Sequence, residues 1–160
     1  YFDFAKQLKS QQKNQTAYTS AVTLTLGLQY VLGWIRERGL EQVFAHNQKL
    51  SAATKAAVKA MGLELFSKQY PSDVLTAVQA PAGVDGQKVV AKMRERGIWI
   101  AGGQAQAKGK IFRIAHMGYI DEQDLIGTIG ALEAVLNNLG YQVALGVGVK
   151  AAQEILGKEA

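Results

Sequence analysis

The stretch Ile98-Trp99-Ile100-Ala101-Gly102-Gly103, followed by Gly109-Lys110-Ile111-Phe112-Arg113-Ile114-Ala115-His116-Met117-Gly118, decides the fold. Ile98 to Ala101 is short, apolar and stopped by a glycine pair, which reads as a strand, and Lys110 to Ala115 reads as the next. Side chains alternate across a strand, so Phe112 and Ile114 take one side and Ile111, Arg113 and Ala115 the other. Beyond them Leu125, Ile129, Leu132 and Leu136 recur at helical spacing up to Gly140, with Asp121 placed to cap that helix. Val149 to Leu156 predicts a last short helix.

Working back toward the start, Asp85 to Arg96 is amphipathic through Val89, Val90 and Met93 and ends at Gly97. Val74 to Ala80, before Pro81, predicts a strand, and Leu63 and Leu65 alternate with polar neighbours in the same manner. Leu24, Leu28, Val31, Leu32 and Ile35 mark a helix that Thr19 or Ser20 can cap, with Gly39 as a left-handed stop. A second helix starts at Leu40 and closes at Gly62, so the two form a long connector bent at Gly39. Tyr1 to Leu8 carries only a short mixed apolar pattern, and a polar stretch and loop follow it up to Ser20. This order predicts an α+β layer with helices packed on one face of a small, mainly antiparallel sheet.

Composition narrows the function classes. The chain has 160 residues, 48% of them hydrophobic and 19% charged, enough for one substantial core plus a segment belonging to something larger. Ala21 to Ile35 is too short and too polar for a bilayer span, and the front has no signal-peptide arrangement, so no membrane partner and a cytoplasmic location are expected. Cysteine is absent and the two histidines, His46 and His116, lie far apart in sequence, so no metal site is expected. The net charge of +5 comes from 18 basic residues without a run of three, which reads as solvated surface with no nucleic-acid partner. The chain opens Tyr1-Phe2-Asp3-Phe4 without methionine, which reads as the middle of a longer protein.

Three segments together resemble the class V aminotransferases of the alanine– and serine–glyoxylate type. They are the strand pair quoted above with Asp121 after it, the loop Asn14-Gln15-Thr16-Ala17-Tyr18-Thr19-Ser20, and the Gly39-Leu40-Glu41 junction. The similarity covers the whole chain and is nearest to a subgroup whose members carry the name soluble hydrogenase subunit. A hydrogenase centre needs metal ligands that this sequence does not supply, so the aminotransferase chemistry is the expectation. The resemblance implies the C-terminal small domain of a fold type I, pyridoxal 5'-phosphate-dependent transferase. Residues 1–38 would then be the helical end of the large domain and residues 39–160 the small domain. It also implies a homodimer, a missing N-terminal large domain, and small amino-acid and keto-acid substrates.

By resemblance Arg113 faces the active-site cleft and binds the substrate carboxylate, for which a planar guanidinium is well shaped. From spacing alone the favoured reading is a structural arginine paired with an acidic neighbour, and the surrounding motif reverses that preference. Thr16 and Thr19 match positions that hold the cofactor phosphate across the dimer interface, while the residue-level reading is helix capping. Their loop departs from the family's pattern at Ala17 and Ser20, where proline is common. Gly102 and Gly103 read either as a close approach of backbone to substrate or as a turn with positive φ. His116 and His46 read as packed, hydrogen-bonded residues, and Trp34 and Trp99 as core or interface aromatics. The Schiff-base lysine that this chemistry needs falls upstream of Tyr1 by resemblance, so the chain holds no catalytic residue and is expected to be inactive alone. The expected reaction of the whole protein moves an amino group from alanine or serine to glyoxylate or pyruvate. The alternative is a free-standing α+β binding, regulatory or oligomerisation module without catalysis.

Overall fold

In the computed structural model, which describes residues 2–158, contacts divide the chain into two units between Val43 and Phe44. Tyr1, Glu159 and Ala160, the outer ends of the two expected domains, lie outside the described residues.

The first unit begins with a helix that the apolar pattern did not announce, α1 (Phe4–Gln11). Its signal was polar: the Asp3 carboxylate accepts from the Lys6 backbone N–H at 2.9 Å, an N-terminal cap. Helix α2 (Val22–Arg38) follows the loop, and α3 (Leu40–Ala60) resumes one residue after it. No side chain caps α2, against the expectation for Thr19 or Ser20. The helix starts after Ala21, so both hydroxyls lie outside the position from which a cap reaches the first turn. Gly39 has φ +89° and ψ 131°, a positive-φ but extended conformation, and not the left-handed stop expected of it. That geometry lets α3 begin at once. Helix α2 buries none of its side chains.

The second unit is built around a three-stranded antiparallel sheet. Its strands are β1 (Leu75–Gln79), β2 (Ala101–Gly102) and β3 (Ile111–Ala115), in the order β1-β3-β2. Register sets Thr76 against Ile114 and Val78 against Phe112, so these four form one face, and all are buried. Helix α4 (Gly86–Glu95) packs on β2 and β3, α5 (Glu122–Asn138) on α4, and α6 (Val147–Leu156) on α5. Leu50, Val89, Met93, Phe112, Leu132 and Leu136 are among the side chains that form the core. Burying each large apolar side chain of this kind contributes roughly 1.5–3 kcal/mol.

Local chemistry fixes the ends of these elements. Asp121 and Asp124 form a reciprocal capping box on α5, the Asp121 carboxylate accepting from the Asp124 N–H at 2.8 Å. Asp85 caps α4 by accepting from the Gln87 N–H at 2.7 Å. Two expected strands are shorter than their patterns. Leu65 makes a single bridge to Val78, and the span Ile98–Ala101 pairs only from Ala101 onward. Ile98 and Ile100 still pack against the core while Trp99 points out, because alternation records which side a residue takes and not whether a neighbouring strand is in reach.

Candidate active site

The face of the sheet opposite the core carries Leu75, Ala77 and Gln79 of β1, Ala101 of β2, and Ile111, Arg113 and Ala115 of β3. Arg113 is the charged residue in this row. Its cross-strand neighbours are Ala77 and Ala101, and Ala115 follows it on the same side, so the residues beside it on this face are small. The Arg113 Nε–H donates to the Gly102 carbonyl at 3.0 Å. Among the described residues no carboxylate lies within 4.0 Å of its guanidinium, so the acid-paired structural arginine is absent here. Arg113 is half-buried, which partly removes it from water and strengthens any interaction with an anion.

Gly102 and Gly103 have neither of the positive-φ conformations that a plain turn would need. Space is what requires them. A Cβ on Gly102 would meet the Gln87 side chain, and one on Gly103 would meet the Ala107 carbonyl. The close approach is therefore made by the protein's own atoms. Gln87 was not among the residues singled out by sequence. Its position, two residues after the α4 cap, carries no local signal of a contact with a glycine of another strand.

Thr16 and Thr19 share the exposed loop ahead of α2, in the first unit, and each is itself exposed. Because no side chain caps α2, the hydroxyl groups and the first-turn amides of that helix are not committed to one another.

His116 is fully buried, and its Nε2 shares a 2.8 Å hydrogen bond with the Thr76 hydroxyl. Burial, helped by the Lys55 ammonium, pushes its pKa below the usual histidine value, against the opposing pull of Asp73. The Asp73 carboxyl is held below the usual carboxylate range chiefly by its 3.1 Å contact with Lys55. His46 Nε2 lies 2.9 Å from the Ile120 carbonyl oxygen. Trp99 is not a core residue: it is 74% exposed, with the Arg94 guanidinium 4.2 Å from its ring centre. No group of three or more possible metal ligands occurs among the described residues. No described helix is long and apolar enough to cross a membrane.

A buried carboxylate that sequence reasoning passed over is Glu133. Its oxygens accept from the backbone N–H groups of Gly146 and Gly148 at 2.6 Å and of Val149 at 3.2 Å. It thus caps α6, whose own cap residue, Gly146, has no side chain to do so. The signal was a glutamate inside the apolar stripe of α5, between Leu132 and Leu136.

No family model matches the chain. Individual relatives do. The sequence is 40% identical to the soluble hydrogenase small subunit of a Synechococcus species over 159 residues, which is 98% of this chain and 41% of that protein. It is 37% identical to the serine–glyoxylate aminotransferase of Methylorubrum extorquens, over 98% of this chain and 40% of that enzyme. The crystal structure of the ureidoglycine–glyoxylate aminotransferase of Bacillus subtilis superposes on 99% of this chain and 42% of its own, with a TM-score of 0.86 and 32% identity. The chain spans about two-fifths of the length of the curated relatives it matches.

Proposed function

From the premise that this chain corresponds to the C-terminal part of a class V aminotransferase, we propose that its whole protein moves an amino group between small amino and keto acids, with Arg113 as the carboxylate anchor. Alanine or serine as donor and glyoxylate or pyruvate as acceptor are the substrates that fit this reading. One observation carries it: a half-buried arginine on the sheet face opposite the core, with alanines as its cross-strand neighbours, tied at Nε to a backbone carbonyl and without an acidic partner among the described residues. A guanidinium so held keeps its two terminal nitrogens for an incoming carboxylate, which fixes the substrate's α-carbon in place.

Pyridoxal 5'-phosphate, when bound, supplies the electron sink that makes removal of the α-proton feasible. The residues present fit its phosphate end. Thr16 and Thr19 offer exposed hydroxyls in the loop ahead of an uncapped helix N-terminus, a combination that favours an anion. In this proposal they serve the site of a second subunit in a homodimer. The amine that carries the cofactor lies in a part of the protein that this chain does not include, and the chain alone does not transaminate. The large domain would end at Arg38 and the small domain run from Gly39.

Kinetics of the full-length protein test the reading. Arg113→Ala should raise KM for the keto acid about a hundredfold, the loss expected when one partner of a hydrogen-bonded charge pair is removed. Thr16→Ala and Thr19→Ala should weaken cofactor retention, read as loss of visible absorption on dialysis, without that change in KM. An unchanged KM in Arg113→Ala would remove the anchor.

A further inference from the structure

We propose that Gln87 and Gly102 are positioning residues for Arg113: Gln87 packs against Gly102 and bonds the carbonyl of the next residue, Gly103, and so braces the segment whose Gly102 carbonyl takes the Arg113 Nε–H and leaves the terminal nitrogens aimed outward. This rests on the reading of Arg113 as the carboxylate anchor and extends it to residues that never touch substrate.

The geometry runs from helix to strand to side chain. Helix α4 is fixed at its start by the Asp85 cap and by the Gly86 N–H, which donates to the Gly109 carbonyl at 2.8 Å. Gly86 has no room for a Cβ, which would lie 2.6 Å from the Ile111 carbonyl oxygen. The start of the helix is therefore seated on the entrance to β3. From the first turn Gln87 lies against Gly102 and donates from Nε2 to the Gly103 carbonyl at 3.5 Å. The Gly103 N–H in turn donates to the Ile111 carbonyl at 3.1 Å, and the Ala107 carbonyl closes the remaining side. The Gly102–Gly103 peptides are thus held by α4, by β3 and by the turn at Ala105–Ala107.

That rigidity matters for what the guanidinium can do. Arginine has five N–H donors in a planar fork, and two edges of the fork can grip a carboxylate. A bond at Nε removes the side-on edge and leaves the end-on pair. It also sets the rotation of the guanidinium about its stem, which is otherwise costly to fix on binding. Pre-orientation of this kind shows in substrate affinity and vanishes when the arginine is removed.

A double-mutant cycle in the full-length protein tests the proposal. Gly102→Ala and Gln87→Ala are each made alone and together with Arg113→Ala, and KM and kcat are measured with pyruvate and with glyoxylate. Each single change is expected to raise KM about tenfold, the cost of about one hydrogen bond, with kcat within about twofold. Both effects should disappear in the Arg113→Ala background. Equal effects in both backgrounds would overturn the proposal, since the residues would then act on the fold and not through Arg113. A sensitive Arg113→Ala beside silent Gly102→Ala and Gln87→Ala overturns the positioning role alone. A silent Arg113→Ala overturns the carboxylate reading and this inference with it. Should Gly102→Ala fail to fold, Gln87→Ala, which only removes atoms, decides.

Discussion

Glu133→Ala should cost this chain an unusually large share of its stability. Glu133 is 2% exposed, and its carboxylate accepts three backbone N–H groups from the cap residue and first turn of α6, two of them at 2.6 Å. Truncation strips those amides of their acceptors, in a place where water enters only through a new cavity. A hydrogen bond to a charged group contributes about 1.5–3 kcal/mol, and unmet buried groups cost a similar amount. The three bonds are not additive, because the carboxylate also loses its hydration on folding, so a net loss of about 3–5 kcal/mol is expected. Glu133→Gln keeps one accepting oxygen but turns an amide NH2 toward an N–H donor, and should lose about 2–3 kcal/mol. Urea unfolding followed by circular dichroism reads both. If Glu133→Ala shifts stability by less than about 1 kcal/mol, the carboxylate is not the cap of α6 and its contacts carry little energy.

Two further predictions concern the second unit. Because the folded-state pKa of His116 is depressed, the unfolded chain binds the proton first. Stability should hold above the usual histidine value of 6.5 and fall as pH drops below it, by up to about 1.4 kcal/mol per pH unit, until the lowered folded pKa is reached. His116→Gln should flatten that part of the pH–stability curve, and an unaltered slope would show that another group titrates there. Gly103→Ala drives a methyl group into the Ala107 carbonyl and should cost about 1–3 kcal/mol or displace the turn, seen as a lowered Tm. A neutral result would mean that the turn at Ala105–Ala107 moves freely.

How much of this was legible in the sequence depended on what each residue does locally. Asp121 announced α5 because a cap acts within a few residues of itself, and that cap forms, while α4 was legible from the spacing of Val89, Val90 and Met93. That Phe112 and Ile114 share one side of β3 and Arg113 takes the other followed from strand alternation, and the structure shows which of the two sides is buried. Long-range pairings were invisible. Nothing near Glu133 in sequence says that it will meet Gly146 and Gly148, and nothing near Gln87 says that a strand will pass beneath it. Gly102 and Gly103 stood out in the sequence, but the space that demands them is filled by Gln87 and the Ala107 carbonyl, which only the folded chain brings there. Helix α1 was missed because its apolar pattern is short and mixed, with Phe4 and Leu8 as its large apolar residues, and its signal is the polar cap at Asp3.

The most direct test is a crystal structure of the full-length protein with a non-reacting keto-acid or amino-acid analogue bound. The analogue's carboxylate should be gripped by the two terminal nitrogens of Arg113 at about 2.8 Å, with Nε still on the Gly102 carbonyl. A carboxylate held by other groups, with Arg113 turned away from it, would contradict the account.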